Sequence, residues 1–98
     1  MAVVRTIRFE VPPAEVEVML SRRNALVEAV RAACSGLTEA RLAKVDGDMW
    51  TDSWRWASAA QLQAAEDAAH SGAFAEAGAA FAYARTGTSE TADIVDER

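Results

Sequence analysis

Residues 48–56, DMWTDSWRW, hold every tryptophan of the chain and seat an aspartate among them. In an extended strand, side chains two residues apart share a face. Trp50, Asp52, Trp54 and Trp56 therefore line one side, and Met49, Thr51, Ser53 and Arg55 the other. Each indole buries on the order of 200 Å², so the tryptophan side has the stronger claim to the interior. Asp52 is carried inside with it. A buried carboxylate needs hydrogen bonds or an opposite charge. Arg5 and Arg23 are the charged candidates, and a backbone group is the alternative.

The flanking segments say what covers that face. Residues 2–11, AVVRTIRFEV, are rich in β-branched side chains and are stopped by Pro12-Pro13, the pattern of a strand. Its odd side carries Val3, Arg5, Ile7, Phe9 and Val11. Over residues 14–34 the period changes to three and four, through Val16, Met19, Leu20, Arg23, Leu26, Val27 and Val30, which predicts an amphipathic helix. Pro13 suits its first turn and Gly36 its stop. Arg23 falls on the apolar stripe, where it either snorkels or answers a buried acid. Residues 37–45 read as a weaker strand. Asp46-Gly47-Asp48 is a turn signal joining it, hairpin fashion, to a strand over 49–57. Ser58 and Gln61 match a capping box ahead of a helix carrying Leu62, Ala65, Ala68 and Ala69 on one side. His70-Ser71-Gly72 interrupts it, and a further helical piece over 73–81 has Phe74, Ala77 and Phe81 in step. Residues 85–89 read as a loop and 91–96 as a last strand. The order is β-α-β-β-α-β over a single domain, residues 1–98. That is the α+β, ferredoxin-like plan: a four-stranded antiparallel sheet with both helices on one face.

Composition narrows the function. A domain of 98 residues supports one modest core, and a partner subunit is the usual source of further stability. The net charge of −5 and the single lysine, Lys44, exclude a nucleic-acid polyanion as ligand. No apolar run reaches the roughly 18–20 residues of a membrane span. Cys34 has no disulfide partner, which fits a reducing cytoplasm and a buried, inert thiol. His70 is the only histidine, so no multi-histidine metal site forms. Gly-rich phosphate loops are absent. Tyr83 and Arg85 follow the last helix near the expected pocket rim and carry no assignable role. Patterning alone leaves two uses for the indoles open. They fill space beneath alanine-rich helices, or they wall a site for a planar organic molecule.

Over almost its whole length the chain resembles the antibiotic biosynthesis monooxygenase (ABM) domain family. The resemblance rests on FEVPPAE, on ACSGLTEARL, and above all on DGDMWTDSWRWAS followed by an alanine-rich helix and HSGAFAEAGAAF. Many members end a strand with Trp-x-Ser before such a helix; here it is Trp56-Ala57-Ser58. The resemblance implies a dimeric α+β barrel, a homodimer whose open sheet faces pack together. In this chain that face carries Val4, Thr6, Arg8, Met49, Thr51, Ser53 and Arg55. It also implies a substrate pocket inside each protomer, between sheet and helices. The best-known members oxidise polycyclic aromatic anthrones to quinones with O₂, using neither metal nor flavin. Trp56 matches their strand-end tryptophan. They carry an asparagine four residues earlier; here Asp52 keeps an acceptor, loses the amide donor, and would serve as a base instead. A second branch degrades haem. Ile7 stands about where that branch has an asparagine, and His70 lies too far along to match its iron ligand, which disfavours haem chemistry.

The resulting expectation is a cytoplasmic, cofactor-independent monooxygenase acting on a planar hydrophobic or aromatic substrate. Asp52 and Trp56 would be catalytic, Asp52 as base or orienter, and Phe9, Met19, Trp50, Trp54 and Phe81 would be walls. It requires a void beside Asp52. The alternative is a non-catalytic small-ligand-binding or structural module, with a filled interior and Asp52 satisfied by protein groups. Isomerase or dehydratase chemistry in the same pocket would need no oxygen.

Overall fold

Pro12 and Pro13 end the first strand because neither can donate to a ladder, and the chain turns there into a helix laid back over the sheet. In a computed structural model that describes residues 1–75 and 87–98, the elements are β1 (Val3–Glu10), a 3₁₀ turn (Pro13–Glu15), α1 (Val16–Ala33), β2 (Leu37–Asp46), β3 (Met49–Trp56), α2 (Ala59–His70) and β4 (Thr88–Asp93). Among the described residues the four strands form one antiparallel sheet in the order β2-β3-β1-β4. This is the expected ferredoxin-like plan.

Register fixes the faces. Val3 pairs with Trp56, Arg5 with Trp54, Ile7 with Asp52 and Phe9 with Trp50. Those eight side chains share the face that the helices cover, and the parity argument holds. Val30 of α1 and Leu62 of α2 pack on Val3 and Trp56 in one cluster, while Met19 packs with Ile7 and Phe9 in another. The opposite face is half-exposed and more polar, with Thr6 and Ser53 sharing a hydroxyl hydrogen bond of 3.1 Å.

The hairpin between β2 and β3 closes on Gly47-Asp48, and Gly47 takes a positive φ of 53° that the tight turn needs. Ser58 caps α2, accepting from the Gln61 N–H at 3.2 Å. The Gln61 side chain meets the Ser58 hydroxyl instead of reaching the backbone. Gly36 is not the left-handed helix stop that its position suggested. A Cβ there would lie 2.5 Å from Gln61 Cβ, so the first turn of α2 rests directly on this glycine. Cys34 is half-buried against the core, with a free thiol.

The last strand starts at Thr88, earlier than patterning placed it, and ends at Asp93. Its residues are all exposed, so no hydrophobic alternation marks its bounds; pairing with β1, from Thr88–Arg8 to Asp93–Val3, defines it instead. Of the helical piece expected over 73–81, Phe74 is buried in the core. Residues 76–81 of that piece, with Phe81, and Tyr83 and Arg85 after it, lie outside the described residues. No described helix is long and apolar enough to cross a membrane.

Beyond β4 the chain is clasped to the open face. Arg55 donates from Nε and Nη2 to the Glu97 carboxylate, both at 2.6 Å, and from Nη1 to Thr38 Oγ1 at 2.8 Å. The hydrogen bond from Arg55 holds the Glu97 carboxyl below its ordinary value of 4.5 and lifts Arg55 above its own. A depressed carboxylate contributes its stability above its unfolded value and loses it as pH falls through the folded one.

Gly36→Ala should lower unfolding stability in urea by ~1–3 kcal/mol, the usual range for overpacking, without changing the far-UV spectrum. Acidification below pH 4.5 should release residues 94–98 ahead of the sheet, seen as faster amide exchange at Ile94 and Val95. Glu97→Gln should show the same release at neutral pH.

Candidate functional site

The site is built around the carboxylate between the indoles. Asp52 is 0% exposed, and three donors meet it. Arg23 on α1 binds it bidentately, Nε to Oδ2 at 2.9 Å and Nη2 to Oδ1 at 2.8 Å. Trp54, two residues along the strand face, donates Nε1 to Oδ1 at 2.9 Å. Arg23 reaches it because it occupies the apolar stripe of α1, four residues after Met19 and four before Val27, both buried. The fork-to-carboxylate geometry is the strong form of a charge-assisted pair.

This pair divides the interior along β3. On one side lie Val3, Val30, Leu37, Trp56, Leu62, Ala65 and Phe74, with Trp54 against them. On the other lie Ile7, Phe9, Val11 and Met19, with Trp50. Space is found mainly against the first side. A cavity of about 290 Å³ opens there between sheet and helices, at the lower end of the ~300–1,000 Å³ usual for small-ligand sites. Asp52, Trp54 and Trp56 form its floor with Arg5 and Ile7. Leu26 and Val30 of α1 and Leu62 of α2 wall it. Ala65 and Ala69 of α2 line it too, and their short side chains leave the volume unfilled.

The candidate residues thus separate. Asp52, Trp54 and Trp56 meet at the cavity. Phe9, Met19 and Trp50 do not line it, because they pack among themselves beyond the ion pair. Phe81 lies outside the described residues. Sequence reasoning missed Arg5 and Glu66 as cavity residues. Glu66 follows Leu62 by four on α2, and Arg5 stands beside Trp54 in the register, so both spacings pointed inward. Arg5 Nε lies 3.8 Å from Glu66 Oε1, with both side chains about 40% exposed (40% and 39%). They mark the mouth of the cavity.

Polar satisfaction inside is uneven. Asp52 is fully engaged. Trp56 is 3% exposed, lines the cavity, and its Nε1 has no hydrogen-bond partner among the described residues. Trp50 Nε1 is likewise unpartnered, inside the packed side of the core. A buried donor without an acceptor is destabilising by ~1–3 kcal/mol; at Trp56 a ligand oxygen could supply the acceptor. Among the described residues no cluster of three or more histidine, cysteine or acidic side chains is placed to hold a metal ion.

Fold and site together define a ferredoxin-like α+β protein with a small, mainly apolar cavity between sheet and helices. Solved structures share this fold. Rv0793 from Mycobacterium tuberculosis is 19% identical, with 99% of this chain and 98% of that chain covered and a TM-score of 0.73. A protein from Caulobacter crescentus CB15, named as an antibiotic biosynthesis monooxygenase, is 21% identical over 97% of this chain and 91% of that chain, with a TM-score of 0.77. SnoaB from Streptomyces nogalater, described as a cofactor-independent oxygenase, is 20% identical over 99% and 94%, with a TM-score of 0.70. At these identities the likeness is one of fold, and it agrees with the fold that the family resemblance implied. No protein-family profile matches the chain, and no curated protein matches it.

Removing the charge from Asp52 should unfold the protein before it reveals any chemistry. Asp52→Asn strands the buried Arg23 and is expected to lower stability by ~3–5 kcal/mol in chemical denaturation. The double change Arg23→Met with Asp52→Leu should recover most of that loss, since an apolar pair of similar volume needs no counter-charge. A single Asp52→Asn variant as stable as the parent would contradict the structural role given to the pair.

Proposed function

We propose that the chain is a cofactor-independent monooxygenase that oxidises a planar hydrophobic or aromatic substrate with O₂ in this cavity. The observation that carries the reading is the cavity itself, floored by Trp54 and Trp56; Trp56 Nε1 is buried and unpartnered among the described residues. The shared fold with SnoaB, described as a cofactor-independent oxygenase, supports the reaction class. Trp54 offers a flat wall, and Trp56 donates to a substrate carbonyl oxygen. That donor counts for more as the oxygen gains charge, when the neighbouring C–H proton leaves to water at the mouth. The carbanion passes one electron to O₂, and recombination forms a C–O bond to a peroxide. Loss of water from the peroxide breaks the O–O bond and leaves a new carbonyl. One oxygen atom stays on the product and the other departs as water. Asp52 acts as an orienter: its three donors hold it and fix the Trp54 ring.

Following the family resemblance, we also propose a homodimer in which a second copy covers the open face of the sheet, and a cytoplasmic setting. A solution mass of twice 10.5 kDa by light scattering would agree, and a strict monomer would remove the dimer.

A second reading is favoured by one observation: Asp52 is saturated by protein donors, as a non-catalytic ligand-binding module would have it. Anthrone separates the two. With anthrone, air and a metal chelator, oxygenase action gives O₂ uptake and anthraquinone above the uncatalysed rate. A binding module gives neither, and an isomerase turns over without oxygen. Trp56→Phe should then lower kcat by about 10²-fold, as for loss of one oxyanion donor, while stability changes by less than ~1 kcal/mol, because the lost N–H was unpartnered. Equal turnover by that variant would remove Trp56 from the chemistry.

A further inference from the structure

The polar groups at the cavity are unbalanced, and the imbalance describes a ligand. Asp52 has three donors and offers little to a guest. Two donors remain: Trp56 Nε1, deep and unpartnered among the described residues, and the guanidinium of Arg5 at the mouth. The described partner of Arg5 is Glu66, and the 3.8 Å between them is too long for a hydrogen bond. The other arginines on β3 or facing it behave differently. Arg23 and Arg55 each dock two nitrogens on a carboxylate at 2.6–2.9 Å. Arg5 alone of these three has an undocked fork, and it faces an apolar cavity from the rigid centre of the sheet.

We propose that the cavity takes an anionic aromatic ligand, a planar ring system bearing a carboxylate, with the carboxylate bound bidentately by Arg5 and a ring oxygen accepting from Trp56. The proposal rests on the reading of this cavity as a ligand site and names the class of molecule that fits it. Guanidinium matches a carboxylate through two parallel hydrogen bonds, which the single long approach of Glu66 does not provide. The incoming carboxylate displaces Glu66, whose half-exposed side chain turns to water. No bond is made or broken in this step. Glu66 thus competes with the ligand, and the two residues have opposite effects: Arg5 attracts the anion, and Glu66 repels it.

The test is a fluorescence titration of the intact protein, with Trp54 and Trp56 as reporters, using anthracene-9-carboxylate and its neutral counterpart anthracene-9-methanol. The carboxylate should bind about tenfold more tightly, the scale of one charge-assisted contact at a partly exposed site. Arg5→Gln should abolish that preference while leaving the alcohol unchanged, and Arg5→Lys should restore part of it. Glu66→Gln should raise carboxylate affinity about threefold. The preference should shrink as salt rises. Equal binding of acid and alcohol by the parent, or an unchanged preference in Arg5→Gln, overturns the assignment of Arg5 while leaving the cavity as a ligand site. Tighter binding of anthracene-9-methylammonium overturns it in favour of Glu66 as anchor. Failure of all three probes to bind removes the cavity reading itself, and this proposal with it. Thermal melts of each variant check that the fold is intact.

Discussion

The bidentate contact between Arg23 and Asp52 is the constraint on which the rest of the interior depends. It joins α1 to the centre of β3 in the buried interior. Because a guanidinium fork meets a carboxylate in one orientation, it permits one axial position of the helix over the sheet. Buried ion pairs contribute little net stability compared with apolar residues of the same volume, yet losing one partner is severe. The geometric effect is therefore the larger one. With α1 set, Leu26 bridges the two hydrophobic clusters, and the Trp54 ring is pinned by its own bond to Asp52. A core of alanine and valine alone would have many ways to slide. This one has a fixed point.

The second constraint is the shortness of the side chains on α2. Ala65 and Ala69 face the indoles where leucines would fill the space. Patterning allows the indoles to be filler beneath alanine-rich helices. In the folded chain the rings do not rise far enough, and the difference in height is the cavity. A small domain that keeps such a space forgoes packing it needs. Its uncovered sheet face is half-exposed and offers area for further burial. That face is polar in character, with Thr6, Ser53 and the Arg55–Glu97 clasp, and it suits contact with water.

Much of this architecture was legible in the residues. Strict alternation in β1 and β3 gave both faces and placed Asp52 inside. The three- and four-residue steps gave α1 and put Arg23 where it could answer the acid. Less legible was anything set by contact between distant segments. Arg5 and Arg23 were equal candidates for Asp52 on charge, and helix placement decided between them. The bounds of β4 came from pairing with β1, because an edge strand with no buried side chain leaves no periodic trace. Gly36 was read as a helix stop when its part is to let Gln61 approach. Phe9 and Trp50 share the indole face, and Met19 packs on that cluster from α1, yet all three lie beyond the ion pair. Parity assigns a side of the sheet and says nothing about position along it.

Two acid–arginine pairs stand within a few residues of each other, and distance and hydration set them apart. At 2.8 Å, buried and bidentate, Arg23–Asp52 cannot exchange partners without leaving a bare charge in low dielectric. At 3.8 Å and half in water, Arg5–Glu66 holds its charges at nearly their solvated energy. Parting them sacrifices little, because Glu66 recovers its hydration as it leaves. The mouth is thus neutral when empty, which spares the cavity an uncompensated cation. It also remains neutral when an anion arrives and the acid withdraws. A tight pair fixes the frame and a loose one guards the entrance, and the same two functional groups serve both ends because only one of them is kept from water.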